Sequence, residues 1–138
     1  MIVDTSVWSL ALRRDHPRRN RQVQRFQQAL LDGEVVLTGI VLQEILQGLV
    51  EGPTKDRLVG ELSKLSLLVP GRNDHLLAAQ LFTTCRRKGV QLATVDALLA
   101  SLCIRRDLVL LSTDKGFSHA SNHIGLKIWP DGPEDRVE

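Results

Sequence analysis

The sequence is 138 residues long and contains no tyrosine, two tryptophans and three phenylalanines, so aromatics make up only 4% of it. A surface on which successive nucleobases stack against aromatic rings is therefore not expected. Cysteine is almost as scarce. Cys85 and Cys103 lie apart in apolar helical patterns and form no CxxC or Cys/His spacing, which excludes a disulfide framework and a zinc site and leaves two reduced core thiols. No apolar run reaches the ~18 residues of a membrane span. The first four residues carry neither a basic region nor an apolar core of a secretory leader, so a cytoplasmic protein without membrane association is expected. Two phosphate-binding signatures are also missing. There is no Gly-rich dinucleotide loop after the first apolar run and no GxxxxGK[ST] loop anywhere. "DTS" at 4–6 lacks the second Asp two residues on that haloacid-dehalogenase phosphatases use, and "TDKG" at 113–116 does not supply the late Lys-Pro of a response-regulator receiver.

What is present describes an ordinary globular chain, 43% hydrophobic and 25% charged. A chain of this size buries roughly 68–70% of its unfolded surface and holds one core without staples. The formal net charge of +2 is modest, but its distribution is uneven. Arg13, Arg14, Arg18, Arg19, Arg21 and Arg25 crowd one stretch, Arg86, Arg87 and Lys88 form a second cluster, and Arg105 and Arg106 a third.

Short apolar runs bounded by turn residues mark strands buried on both faces, at 2–3, 35–37, 67–69, 108–111 and, more weakly, 126–129. Between them lie amphipathic helices. Val23, Phe26, Ala29 and Leu30 recur at helical spacing before Gly33, and further helices are expected over 39–50, after Pro53, from an Asn73 cap to Gly89, and from a Thr94 cap. This alternation predicts an α/β fold, a mostly parallel central sheet flanked by helices, over 1–130. The Pro/Gly/acid-rich 131–138 is expected to be a flexible tail. Trp8 reads as core or interface. His119 and His123 have i, i+4 spacing without a third ligand, so a surface loop is expected there.

In open parallel sheets, ligands bind beyond the carboxyl ends of the strands. Asp4 follows the first strand and Asp114 the fourth, so both head for that edge. Glu44 falls on the apolar face of its helix with Ile40, Val41, Ile45 and Gly48, and Asp96 shares a face with Leu99, Ala100 and Cys103. Each acid also has a plain structural role open to it. Asp4 suits a helix cap, with Thr5 or Ser6 contributing, Asp96 a first-turn acid favoured by the helix dipole, Asp114 a turn, and Glu44 an exposed helix edge. Gathered together, however, they repel, by roughly 4 kcal/mol for a pair 4 Å apart at an effective dielectric near 20. A divalent cation removes that cost, and oxygen-only donors select a hard ion, Mg²⁺ or Mn²⁺.

"IVDTS" at 2–6, Glu44 in "VLQEILQGL", Asp96 in "TVDALLASLCIRRD" and Asp114 in "LVLLSTDKGF" resemble the motifs of PIN-domain ribonucleases, in particular the VapC-type toxins of bacterial toxin–antitoxin pairs. The resemblance runs from Met1 to about Trp129. It implies a single PIN-like domain, a Mg²⁺- or Mn²⁺-dependent endoribonuclease, a homodimer, and a cognate antitoxin that blocks the site. Carried over by position, Asp4, Glu44, Asp96 and Asp114 are the acidic quartet, with Thr5, Ser6 and Ser112 as the hydroxyls that orient it. The family often has Thr where Ser112 stands. Asp4, Asp96 and Asp114 are then the expected metal ligands, and Glu44 the residue that orients or deprotonates the attacking water. An RNA substrate agrees with the arginine-rich stretch, from which Arg13, Arg14, Arg18, Arg19 and Arg21 are candidate phosphate contacts. Recognition by backbone and shape favours a folded RNA such as tRNA or rRNA. The other readings open at this stage are a PIN nuclease of RNA processing without an antitoxin and a PIN-like binding module that has lost catalysis.

Overall fold

The computed structural model describes residues 1–13 and 20–130. Arg14, Arg18 and Arg19 and the expected tail at 131–138 lie outside the described residues. Along the chain run β1 (Ile2–Val3), α1 (Thr5–Leu12), α2 (Arg21–Leu31), β2 (Val36–Thr38), α3 (Gly39–Gln47), α4 (Pro53–Leu62), β3 (Ser66–Leu68), α5 (Arg72–Arg87), α6 (Thr94–Arg106), β4 (Leu110–Leu111) and α7 (Lys115–Ser121). The strands form one sheet in the order β3-β2-β1-β4, and every pairing is parallel. Ile2 stands in register with Val36 on one side and Leu110 on the other. The sheet is buried on both faces at β1 and β4, as their unbroken apolar runs require. The edge strand β3 departs from that expectation: Ser66 and Leu67 are exposed, because an edge strand has no neighbour to cover its outer side. Ile2, Leu110 and Leu111 are fully enclosed, together with Leu99, Leu102 and Cys103 of α6.

This order places a crevice. The chain moves outward from β1 to β2 to β3 and then crosses back to lay β4 on the other side of β1. The topological switch point therefore lies beyond the carboxyl ends of β1 and β4, where ligands of open α/β sheets bind. Asp4 is the first residue past β1, and Asp114 caps the helix that follows β4.

Several boundaries differ from the sequence expectation, each for a local reason. The expected fifth strand at 126–129 reduces to one parallel bridge between Leu110 and Ile128. Trp129 N–H still donates to Leu110 O at 2.9 Å, but Pro130 has no N–H to carry the ladder on. α3 stops at Gln47 because Gly48 takes the C-cap. α5 starts before Asn73: Gly71 is its N-cap, and the Asp74 carboxylate accepts the Gly71 N–H at 2.8 Å. Thr94 is the first residue of α6 rather than its cap, which is Ala93, and Asp96 puts negative charge in that first turn. His119 lies in α7 rather than in a loop, because Asp114 accepts the Gly116 N–H at 2.8 Å and starts a helix there; His123 falls beyond its Asn122 C-cap.

Trp8 and the two cysteines stand as expected. Trp8 is a core residue, packed edge-on against Phe26 with ring centroids 4.5 Å apart. Both cysteines are free and buried, and burial pushes the Cys103 thiol up to about 12, so neither is a reactive thiolate. No described helix is long and apolar enough to cross a membrane. The third basic cluster serves packing. Arg105 and Arg106 of α6 donate to the buried Asp74 of α5 at 2.6 to 2.9 Å, and Ser101 Oγ donates to the Asp74 carbonyl at 2.6 Å. These bonds hold the Asp74 carboxyl well below the usual carboxylate range despite its burial.

Candidate active site

Asp4 occupies the N-cap position of α1 with an extended backbone, yet its side chain makes no capping bond. The capping role open to it from sequence is therefore not taken, nor is the contribution of Thr5 or Ser6. Instead Asp4 Oδ2 accepts two hydroxyls, from Ser6 at 2.8 Å and from Ser112 at 2.9 Å. Each hydroxyl is itself oriented by the loop after β4. Thr113 N–H donates to Ser6 Oγ at 3.2 Å, and Asp114 N–H donates to Ser112 Oγ at 3.0 Å. Two short relays thus run from the 113–114 backbone to one carboxylate oxygen. They leave Oδ1 without a donor among the described residues. Asp4 is 8% exposed, so a carboxylate held this way is fixed in a wall of the crevice.

The second tie runs to α3. Thr5 Oγ1 donates to Glu44 Oε1 at 3.0 Å, although the two residues are 39 positions apart. Glu44 is half-buried between Val41 and Ile45, both enclosed, so the apolar face on which it was expected is real. Asp96 sits in the first turn of α6 on the face of Leu99, Ala100 and Cys103, all fully buried. Burial raises its carboxyl to about 6, with Asp4, then Asp114, then Glu44 adding like-charge repulsion. The helix dipole favours the charged form but loses to these effects. Asp114 is exposed and fills both of its roles at once, capping α7 through Oδ1 while adding to the field on Asp96.

The four acids thus come from four separate elements and are felt together at Asp96. No ion pair between described residues involves any of them. As they stand, no three His, Cys, Asp or Glu side chains among the described residues are gathered tightly enough to hold an ion by direct contact. The donor set is all oxygen, carries net negative charge and keeps the Asp4 carboxylate aimed by hydroxyls. It suits a hard cation that retains much of its water and is held partly through it. Of the candidate phosphate contacts that can be described, Arg13 follows α1 directly, while the Arg21 guanidinium lies over the Trp129 ring, 5.2 Å from its centroid.

Beside Asp114 opens a cavity of about 420 Å³, lined by the 112–115 loop, Gln22, Ser118, Ser121 and the 128–130 segment. No motif announces it. Its trace in the sequence is the tryptophan that ends the weak apolar run at 126–129.

An open parallel α/β sheet with an acidic crevice at its switch point defines the class. The chain belongs to the PIN domain family, whose profile matches residues 1–122. Solved structures share the fold. FitAcB from Neisseria gonorrhoeae is 22% identical with a TM-score of 0.70, over 92% of this chain and 94% of that one. VapBC2 from Rickettsia felis, bound to a DNA fragment from its promoter, is 19% identical with a TM-score of 0.69, over 92% and 95%. DNA-bound VapBC from Salmonella typhimurium is 17% identical with a TM-score of 0.67, over 92% and 94%. No protein of curated function matches the sequence.

Proposed function

We propose that this chain is a divalent-metal-dependent endoribonuclease that hydrolyses RNA phosphodiester bonds, and that it is the VapC-type toxin of a toxin–antitoxin pair. The observation that carries the reading is Asp96, a half-buried carboxyl raised to about 6 by burial and by three acids from other elements at the sheet's switch point. Such a cluster is costly for a domain with a net stability of only about 5–15 kcal/mol, and it is retained where chemistry needs it.

Asp4, Asp96 and Asp114 would hold Mg²⁺ or Mn²⁺. When bound, the ion supplies Lewis-acid stabilisation of charge on the scissile phosphate and a lowered pKa for water. The protein's own contribution is positioning. Ser6 and Ser112 keep Asp4 Oδ2 fixed, so Oδ1 faces the crevice without a rotamer search. Glu44, held at Oε1 by Thr5, has its second oxygen to orient a water and accept its proton. Arg13, Arg14, Arg18, Arg19 and Arg21 lend positive charge to the RNA backbone. A cognate antitoxin as partner is supported by the likeness to the VapBC2 and VapBC assemblies, and a homodimer and a cytoplasmic site of action belong to the same reading.

The test is cleavage of labelled tRNA and rRNA with Mg²⁺ or Mn²⁺, by wild type and by Asp4→Asn and Asp96→Asn proteins that melt cooperatively at or above the wild-type temperature. Cleavage should require metal and fall by about 10²-fold or more in each variant. Undiminished cleavage in either one overturns the proposal. Growth arrest on expression, relieved by the same substitutions, separates a toxin from a nuclease of routine RNA processing.

A further inference from the structure

Of the four acids only Asp114 lines the cavity beside it, which also shares Ser112 and Thr113 with the network that aims Asp4. Any ligand within it touches the loop that aims Asp4. Its volume of about 420 Å³ lies within the range of about 300–1,000 Å³ typical of small-molecule sites. Its lining is divided. Ile128, Trp129 and Pro130 are its apolar part, and the Arg21 guanidinium lies over the Trp129 ring, 5.2 Å from its centroid. The rest of the lining carries polar groups of mixed character. Gln22 carries an amide with both donors and an acceptor, Ser118 a hydroxyl, and Lys115 an ammonium. The Ser121 hydroxyl gives its proton to the Ser118 carbonyl at 2.7 Å and so presents lone pairs as an acceptor.

We propose that this cavity is a nucleobase subsite, which seats the base adjoining the phosphate at the acid cluster and selects which base stands there. The proposal rests on the nuclease reading above for its substrate. A base is the ligand whose chemistry matches the lining: a flat apolar face for the indole, and an edge of alternating donors and acceptors for Gln22 and Ser121. A plain anion would find, among the described lining residues, the Lys115 ammonium beside the Asp114 carboxylate. A fully apolar ligand would bury the amide and the hydroxyls without partners. Lys115, next to Asp114 in the chain, is placed to meet the phosphate that joins this nucleotide to its neighbour. The scarcity of aromatics excludes a platform for many bases; it does not exclude a slot for one.

Intrinsic fluorescence isolates the event, because the chain has two tryptophans and Trp8 is buried against Phe26. Wild-type protein in EDTA, which prevents metal-dependent cleavage, is titrated with the four RNA homotetranucleotides and with tripolyphosphate. At least one tetranucleotide should quench the signal saturably, and the best and worst bases should differ by about tenfold in affinity, the discrimination of one well-made pair of base contacts. Tripolyphosphate should leave the signal unchanged. Gln22→Ala/Ser121→Ala should collapse the difference between bases without lowering the melting temperature, and Trp129→Phe should abolish the quench. With metal restored, the double variant should cut random-sequence RNA with its base preference next to the cut lost. Equal affinities for all four tetranucleotides, an unaltered preference in the double variant, or quenching by tripolyphosphate as strong as by RNA would overturn the subsite. Cleavage without selective quenching sinks the subsite alone. Selective quenching without cleavage under any metal sinks the nuclease reading and leaves the base site standing.

Discussion

At the scale of single residues, Asp96 sets the behaviour of the site. A carboxyl in the first turn of a helix ordinarily gains about 0.3–1 kcal/mol from the dipole and titrates low. Here burial and three neighbouring acids reverse that and raise it to about 6. The unfolded chain releases the same proton near pH 3.9. Below about pH 4 the group is protonated in both states and costs nothing. Between about pH 4 and 6 the unfolded state ionises first, so the folded state loses stability, and above pH 6 the loss is complete. Asp96→Asn should accordingly raise the melting temperature of metal-free protein at pH 7.5, by about 4 °C for each kcal/mol relieved. The advantage should vanish at pH 4. Melting curves that coincide at both pH values would show that Asp96 does not carry the repulsion. Asp4 makes a complementary point, since a residue at a cap position that spends its side chain on Ser6 and Ser112 is held for something other than the helix.

At the scale of elements, the pairing of α5 with α6 matters most, because α6 carries Asp96. Asp74 is 1% exposed and satisfied by Gly71, Arg105 and Arg106. Removing one partner of such a group leaves buried charge unmatched. Asp74→Ala should cost about 3 kcal/mol, the low end for buried pairs because both arginines keep partial contact with water, and urea unfolding at pH 7 measures it. The folded Asp74 carboxyl is depressed, so its contribution is present above pH ~3.9 and fades as pH falls below that value. A difference between wild type and Asp74→Ala that stays constant from pH 7 to pH 3 would contradict this assignment. Helical periodicity in the sequence is enough to mark α2, α5 and α6, and unbroken apolar runs mark the strands β1, β2 and β4. The Asp74 clamp is not legible that way. An acid near a helix start looks like a dipole or capping residue, and its arginine partners are 31 and 32 positions away. The helix ends at α3, α5 and α6 differ from expectation by one to three residues because Gly48, Gly71 and Ala93 take the cap positions, and a cap without a side-chain bond leaves no polar residue in the sequence to mark it.

At the scale of the whole molecule, the candidate site exists only because a parallel sheet reverses its direction of growth at β1 and draws Asp4, Glu44, Asp96 and Asp114 to one edge. That convergence was readable in advance, since each acid stands at a strand end or on an apolar helix face, where charge needs a reason. The base-sized cavity is not readable in the sequence, because its lining comes from α2, α7, the 112–115 loop and the 128–130 segment, and no single stretch carries a pattern that points to it. The same convergence makes a prediction about metal. The acids lie too far apart for direct ligation by three of them as they stand, so each should contribute to affinity through charge and through shared water. Titrating Mn²⁺ into the protein at pH 7.5, with free ion followed by electron paramagnetic resonance, tests this most directly. One saturable site is predicted, weakened about tenfold by Asp4→Asn, by Asp96→Asn and by Asp114→Asn alike, as the loss of about 1.4 kcal/mol from each would give. Equal Mn²⁺ affinity in the wild type and all three variants would contradict the account.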